Sequence, residues 1–246
     1  MSATTVRVER DGPIVIITLE RSEQLNSLTQ EMLDTVRQAI EDASEHGVRA
    51  IVLTGTGTAF CAGADLADIL DHDPRDLMMM AATLVTTFRS ADVPIVAAIN
   101  GSAVGYGVSL IAAADLAVAA ESASALLTFT AIGVVPDGGL THTLGAAIGP
   151  ALAADLALTG RRLDAYEMQA AGLVSRVVPD SACLSTALAM AQAIAERPRD
   201  AITLTKRALH AGGTDQLTAA LGLEARYQVE LLGRPEFAEL TDRFRR

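Results

Sequence analysis

From Ile14 onward the chain alternates short β-branched runs with longer stretches whose apolar positions recur every three or four residues. That alternation predicts an α/β fold. Residues 14–19, 50–54, 94–99, 115–119 and 174–178 read as strands. Between the first two, residues 29–46 read as a helix with Leu33, Val36, Ile40 and Ala43 on one face, Thr29 as N-cap and Gly47 as its stop. Residues 105–114 and 138–148 read as helices that begin on glycines, the second entered through Pro136 and Asp137. After about residue 180 the strand signals end, and residues 181–195, 201–211, 214–232 and 235–244 all read as helices. The expected organisation is a mixed core over residues 1–195, followed by a helical region over residues 196–246 that docks or oligomerises.

Composition narrows the function classes. With 50% hydrophobic and 20% charged residues, the 246-residue chain has the makings of a globular core. Apolar runs are cut by Gly, Asp or Pro before they reach the roughly 20 residues of a membrane helix. The start, MSATTVRVERDG, has no basic region leading into an apolar one, so a cytoplasmic protein is expected. A net charge of −11 argues against a nucleic-acid surface, and 3% aromatic residues without tryptophan argue against base stacking. An anionic ligand would have to be met locally, by backbone N–H groups, a helix N-terminus or a few arginines. Cys61 and Cys183 stand far apart and the four histidines are scattered, so no metal site is expected.

Two segments suggest chemistry. Ala59-Phe60-Cys61-Ala62-Gly63-Ala64-Asp65-Leu66 follows the second strand and opens a short helix. Its small residues let a ligand approach outward-pointing N–H groups, although a tight turn with Asp65 as a cap explains the same pattern. Ala98-Ile99-Asn100-Gly101-Ser102-Ala103-Val104-Gly105-Tyr106-Gly107 again leads from a strand through glycines into a helix. A carbonyl oxygen held between the two turns would receive two N–H donors and the helix dipole, an arrangement that stabilises a thioester enolate. The second segment lacks the third glycine of a dinucleotide fingerprint and no Walker lysine follows.

Phe60-Cys61-Ala62-Gly63-Ala64-Asp65-Leu66 and Asn100-Gly101 through Leu110 resemble the two oxyanion segments of the crotonase (enoyl-CoA hydratase/isomerase) superfamily. Leu25-Asn26-Ser27-Leu28 and Pro136-Asp137-Gly138-Gly139-Leu140-Thr141 extend the resemblance in the same order and spacing. It implies a spiral of ββα units with a helical C-terminal trimerisation region, an acyl-CoA substrate, and assembly as a homotrimer or homohexamer. It implies no separate cofactor, coenzyme A being part of the substrate. The N–H groups of Ala64 and Tyr106 are implied as the oxyanion hole, and Ala62 and Leu66 as backbone positions lining the CoA site. Arg21 and Lys206 are candidates for the CoA phosphates, with Arg243, Arg245 and Arg246 from a neighbouring subunit.

The reaction follows from a departure. Where hydratases of this superfamily carry two glutamates, the matching positions are Ser109 and Phe129, and neither is a base near neutral pH. The remaining well-placed carboxylate is Asp137, where the resemblance is to single-carboxylate enoyl-CoA isomerases. One carboxylate suffices to move a proton between two carbons of a stabilised dienolate. Asp137 reads equally as the N-cap of the helix that follows it. Hydrolysis, dehalogenation, atypical hydration and noncatalytic acyl-CoA binding stay open as alternatives. Asp68, Asp71 and Asp73 form a lesser acidic candidate, and the side chain of Tyr106 either shortens the acyl pocket or points away.

Overall fold

The computed structural model describes residues 5–242. It begins with β1 (Val6–Asp11), β2 (Ile14–Leu19), α1 (Gln30–Glu45), β3 (Ala50–Gly55), β4 (Ala59–Cys61), α2 (Leu66–Leu70) and α3 (Pro74–Ser90). The middle of the chain supplies β5 (Ile95–Ile99), β6 (Ser102–Val104), α4 (Tyr106–Ala113), β7 (Leu116–Ala120) and β8 (Ser124–Leu126). Then come α5 (Leu140–Ile148), α6 (Pro150–Thr159), β9 (Arg162–Asp164), α7 (Ala165–Ala171) and β10 (Arg176–Val178). Four helices close the described chain: α8 (Cys183–Ala195), α9 (Arg199–Ala211), α10 (Thr214–Leu232) and α11 (Pro235–Thr241).

The strands sort into two sheets, of order β1-β2-β3-β5-β7-β10 and β4-β6-β8-β9. Only β1 in the first sheet and β9 in the second pair antiparallel. In each turn of the chain the first strand (β3, β5, β7) joins the large sheet and the next (β4, β6, β8) joins the small one. Helical structure then leads back, and the result is the expected spiral of ββα units. β3 and β5 are buried along almost their whole length, which is why they read as unbroken apolar runs. The strands of the small sheet are three residues each, too short to show an alternation, and went unpredicted.

Thr29 caps α1 as expected, accepting the Met32 N–H. Helix α5, in contrast, starts at Leu140 rather than residue 138, because Gly138 and Gly139 both take left-handed backbone (φ +66° and +72°). In the helical region, α8 packs beneath β3, β5 and β7, whereas α10 lies across α3 and α5. Helix α10 thus packs directly on the core region. Residues 243–246, with Arg243, Arg245 and Arg246, lie outside the described residues.

Candidate active site

Strands β4 and β6 are parallel neighbours, with Cys61 opposite Ala103. The turns that leave them therefore emerge side by side, although some forty residues of chain separate them. Their contact depends on glycine. A Cβ on Gly107 would lie 2.5 Å from the Cys61 carbonyl oxygen, and one on Gly63 would lie 2.8 Å from that of Val104. Asn26 and Asn100 anchor the same corner, each donating its side-chain amide to the Ala59 carbonyl.

Two backbone donors result. Leu28 N–H donates to Gly63 O (2.8 Å) and Asp65 N–H to Leu28 O (2.9 Å). The Gly63 carbonyl thus points at Leu28, and the trans peptide turns the Ala64 N–H the opposite way. Tyr106 is the first residue of α4, where an N–H has no intrahelical acceptor and the helix dipole is positive. Neither N–H donates to a protein oxygen among the described residues. Gly105, at φ +54°, makes the corner that aims the second one.

Asp65 caps α2 through the N–H groups of Ala67 and Asp68 and pairs with Arg21 Nη1 at 2.8 Å. Burial disfavours its charge, but Arg21 and the two N–H groups outweigh burial and hold the carboxyl below its ordinary range. Arg21 also donates to the Ser27 carbonyl at 2.7 Å, so its guanidinium braces the turn that follows β4. Ala62 and Leu66 flank Ala64 on that turn, the Ala62 N–H being taken by Leu25 O. Cys61 is fully buried, and burial pushes its thiol up to about 12, too high for a nucleophile.

Asp137 lies in the same cleft as Ala64 and Tyr106, walled by Leu33, Ile69, Leu77 and Leu232. It is not a helix cap. Two left-handed glycines separate it from α5, and the capping is done by Glu224 of α10, which accepts from Gly139 N–H (2.7 Å) and Thr141 N–H (2.9 Å). Gln228, one turn along α10, accepts the Val135 N–H and donates to Asp137 Oδ2 at 3.2 Å. Ser109 Oγ donates to the Asp137 carbonyl at 2.8 Å. Asp137 Oδ1 is buried and has no hydrogen-bond partner among the described residues. Burial first, and the charge of Glu224 second, push the Asp137 carboxyl up to about 8 against the opposing pull of Gln228.

The Tyr106 ring is buried beneath Gly138, and its hydroxyl donates to the Ala81 carbonyl at 2.7 Å. Burial, reinforced by Asp137, raises this phenol well above its ordinary value and keeps it neutral. The ring therefore narrows the cleft. Phe129 packs beside Gly105 and Thr128.

Lys206 requires a correction. Its side chain is 3% exposed, with Nζ on the carbonyls of Phe88 and Val93 and on Asp115 Oδ2 at 2.8 Å. All three donors are spent inside the protein, tying α9 to the start of β5, and none reaches a ligand phosphate. Among the lesser acidic candidates, Asp73 caps α3, and Asp68 borders the cleft while accepting the Gln30 N–H. Glu224 and Gln228 went unrecognised, although they interrupt the apolar stripe Leu217, Leu221, Leu231 at helical spacing, a visible signal for buried polar work. Among the described residues no cluster of His, Cys, Asp or Glu could hold a metal ion, and no helix is long and apolar enough to cross a membrane.

A two-sheet ββα spiral that sets paired backbone donors opposite a buried carboxylate defines a crotonase-type protein. Residues 9–245 match the enoyl-CoA hydratase/isomerase family, and the chain belongs to it. A probable enoyl-CoA hydratase of Rhodobacter capsulatus is 38% identical over 242 residues, covering 97% of this chain and 94% of that protein. The 1,2-epoxyphenylacetyl-CoA isomerase of Escherichia coli is 34% identical over 230 residues, covering 90% and 87%. The crystal structure of an enoyl-CoA hydratase from Mycobacterium avium subsp. paratuberculosis superposes with a TM-score of 0.91 at 31% identity, covering 98% of each chain.

Proposed function

We propose that this enzyme shifts the double bond of 3-enoyl-CoA thioesters into conjugation, with Asp137 carrying the proton. The N–H groups of Ala64 and Tyr106 hold the thioester oxygen, and they bind it more strongly as dienolate charge develops there. Ionised Asp137 removes a proton from C2 through Oδ1. The electron pair delocalises onto the held oxygen, and the same carboxyl returns the proton to C4, giving the 2-enoyl thioester. No water is consumed and no further cofactor is required.

The observation that carries this reading is the unpaired, buried Oδ1 of Asp137 in one cleft with two unengaged backbone donors. Ser109 and Phe129, at the positions of the hydratase glutamates, offer no base to activate water. In the proposed complex the CoA moiety follows the backbone at Ala62 and Leu66, with Arg21 as the phosphate contact beside them. Assembly as a homotrimer or homohexamer through the helical region is proposed because Leu204, Leu209, Leu223 and Tyr227 are exposed in the single chain. The proposed location is the cytoplasm.

The test is a double-bond shift and deuterium-exchange assay on 3-enoyl-CoA, comparing wild type with Asp137→Ala. A loss of about two orders of magnitude or more is expected for removing a general base. Isomerisation that survives the mutation eliminates Asp137 as the shuttle. Incorporation of solvent oxygen would instead assign hydration, the reaction for which the Rhodobacter relative is named.

A further inference from the structure

We propose that the acyl chain this enzyme accepts carries a neutral oxygen substituent, a hydroxyl or keto group, which pairs with Gln30 inside the cleft. The inference deepens the acyl-CoA reading above and rests on it. Gln30 opens α1 and borders the same cleft as Asp137. Its Nε2 is fully buried and finds no acceptor among the described residues, although the neighbouring walls at Leu28, Leu33, Ile69 and Leu77 are apolar. Apart from Asp137 Oδ1, it is the one buried side-chain nitrogen or oxygen of the described residues left unpaired.

A plain hydrocarbon tail packed into this cleft would leave that amide dry and unpaired, which disfavours the complex. A tail bearing an oxygen acceptor satisfies it. Asp68 refines the chemical class. Its carboxylate borders the cleft and is tethered to the same turn, Oδ2 accepting the Gln30 backbone N–H at 3.0 Å. That negative charge repels a chain ending in a carboxylate and welcomes a hydroxyl proton. An amide turned end for end would present Oε1 instead, and a hydroxyl, which both donates and accepts, pairs with either end.

Position fits a chain of modest length. Leu28 is bridged in parallel to Ala64, across about 4.8 Å, and Gln30 follows two residues later at no more than about 3.6 Å per residue. The Gln30 Cα therefore lies within about 12 Å of Ala64, within reach of a chain of about six carbons.

The experiment is calorimetric titration of the whole protein with unreactive saturated thioesters: hexanoyl-CoA, 6-hydroxyhexanoyl-CoA, 5-oxohexanoyl-CoA and adipoyl-CoA. Wild type should bind the hydroxylated or the keto chain about ten-fold more tightly than hexanoyl-CoA, and adipoyl-CoA the most weakly. In Gln30→Met, which preserves shape and helix propensity, that preference should vanish while hexanoyl-CoA affinity holds or rises. Equal or tighter binding of hexanoyl-CoA by wild type overturns the proposal, as does a preference that outlasts Gln30→Met. Because these ligands do not isomerise, a failed preference with intact thioester binding leaves the Asp137 reading standing. Absence of binding by all four removes the acyl-CoA reading and this inference together.

Discussion

Glu224 Oε2 accepts the Gly139 N–H at 2.7 Å, and this contact releases Asp137 from the service that its place in the sequence suggests. The carboxylate that caps α5 comes from α10, 85 residues away along the chain. Asp137 is left with one oxygen on Gln228 and one facing the cleft. The cap also brings a second acidic group near the first, which is part of why Asp137 holds its proton so tightly.

The rate of isomerisation should rise with pH and level off above about 8, because the base works only when ionised. In Glu224→Gln the inflection should move to lower pH, since the neighbouring charge is gone. The same variant loses part of the α5 cap and should be less stable by about 1–3 kcal/mol. A pH–rate profile with matched denaturant melts measures both. An unmoved inflection would mean that Glu224 does not act on Asp137.

Stability should also carry the signature of Asp137. A carboxyl raised from 3.8 to about 8 on folding keeps a proton that the unfolded chain gives up. Its contribution to stability is therefore fully present below about pH 4 and is lost as pH rises toward 8. Asp137→Asn, a neutral mimic of the protonated acid, should melt with wild type near pH 4 and increasingly above it toward pH 8. Thermal melts across that range decide the matter, and a constant difference would refute the buried titration.

Gln228→Leu should lower kcat by up to about a hundred-fold with little change in KM, because it frees Asp137 Oδ2 without touching the oxyanion donors. Steady-state kinetics separates this from a binding defect, which would raise KM at unchanged kcat.

Gly107→Ala should lower kcat by about 100- to 1,000-fold, the scale for losing an oxyanion donor. The added methyl would sit 2.5 Å from the Cys61 carbonyl and force the two turns apart. Single-turnover kinetics on folded protein checks it, and near-normal turnover would show that the turns need not touch.

Lys206→Met should leave KM for acyl-CoA unchanged while destabilising the fold by about 3–5 kcal/mol. The loss arises because Asp115, whose side chain is only 13% exposed, loses its lysine partner. His210 Nε2, 2.8 Å from the other Asp115 oxygen, remains as a partner and limits the loss. Denaturant melts and steady-state kinetics on the same protein measure the two effects.

The inner strands of the large sheet are legible in the sequence because they are buried on both faces and therefore continuous in apolar residues, as Ile95–Ile99 shows, whereas the edge strand β1, Val6–Asp11, is largely exposed and went unpredicted. The approach of the two turns is legible for a different reason: glycine is the residue that tolerates the contact between Cys61 and Gly107, so the geometry leaves a compositional mark. Asp137 is legible as a carboxylate at the right place, whereas its freedom from capping depends on α10, a partner that no local window contains. Lys206 misleads because a lone lysine in an arginine-rich chain invites a ligand, and its true partners, Phe88, Val93 and Asp115, are remote in sequence.

Helix α10 gives the chain an order of completion. Both free backbone donors are encoded before residue 110, and Asp137 follows within thirty residues, but Glu224 and Gln228 come more than eighty residues later still. Any truncation ahead of Glu224 would remove the contact that fixes Asp137 Oδ2 and, with Leu232, part of the wall of the cleft, so the carboxylate and the space it faces stand or fall together.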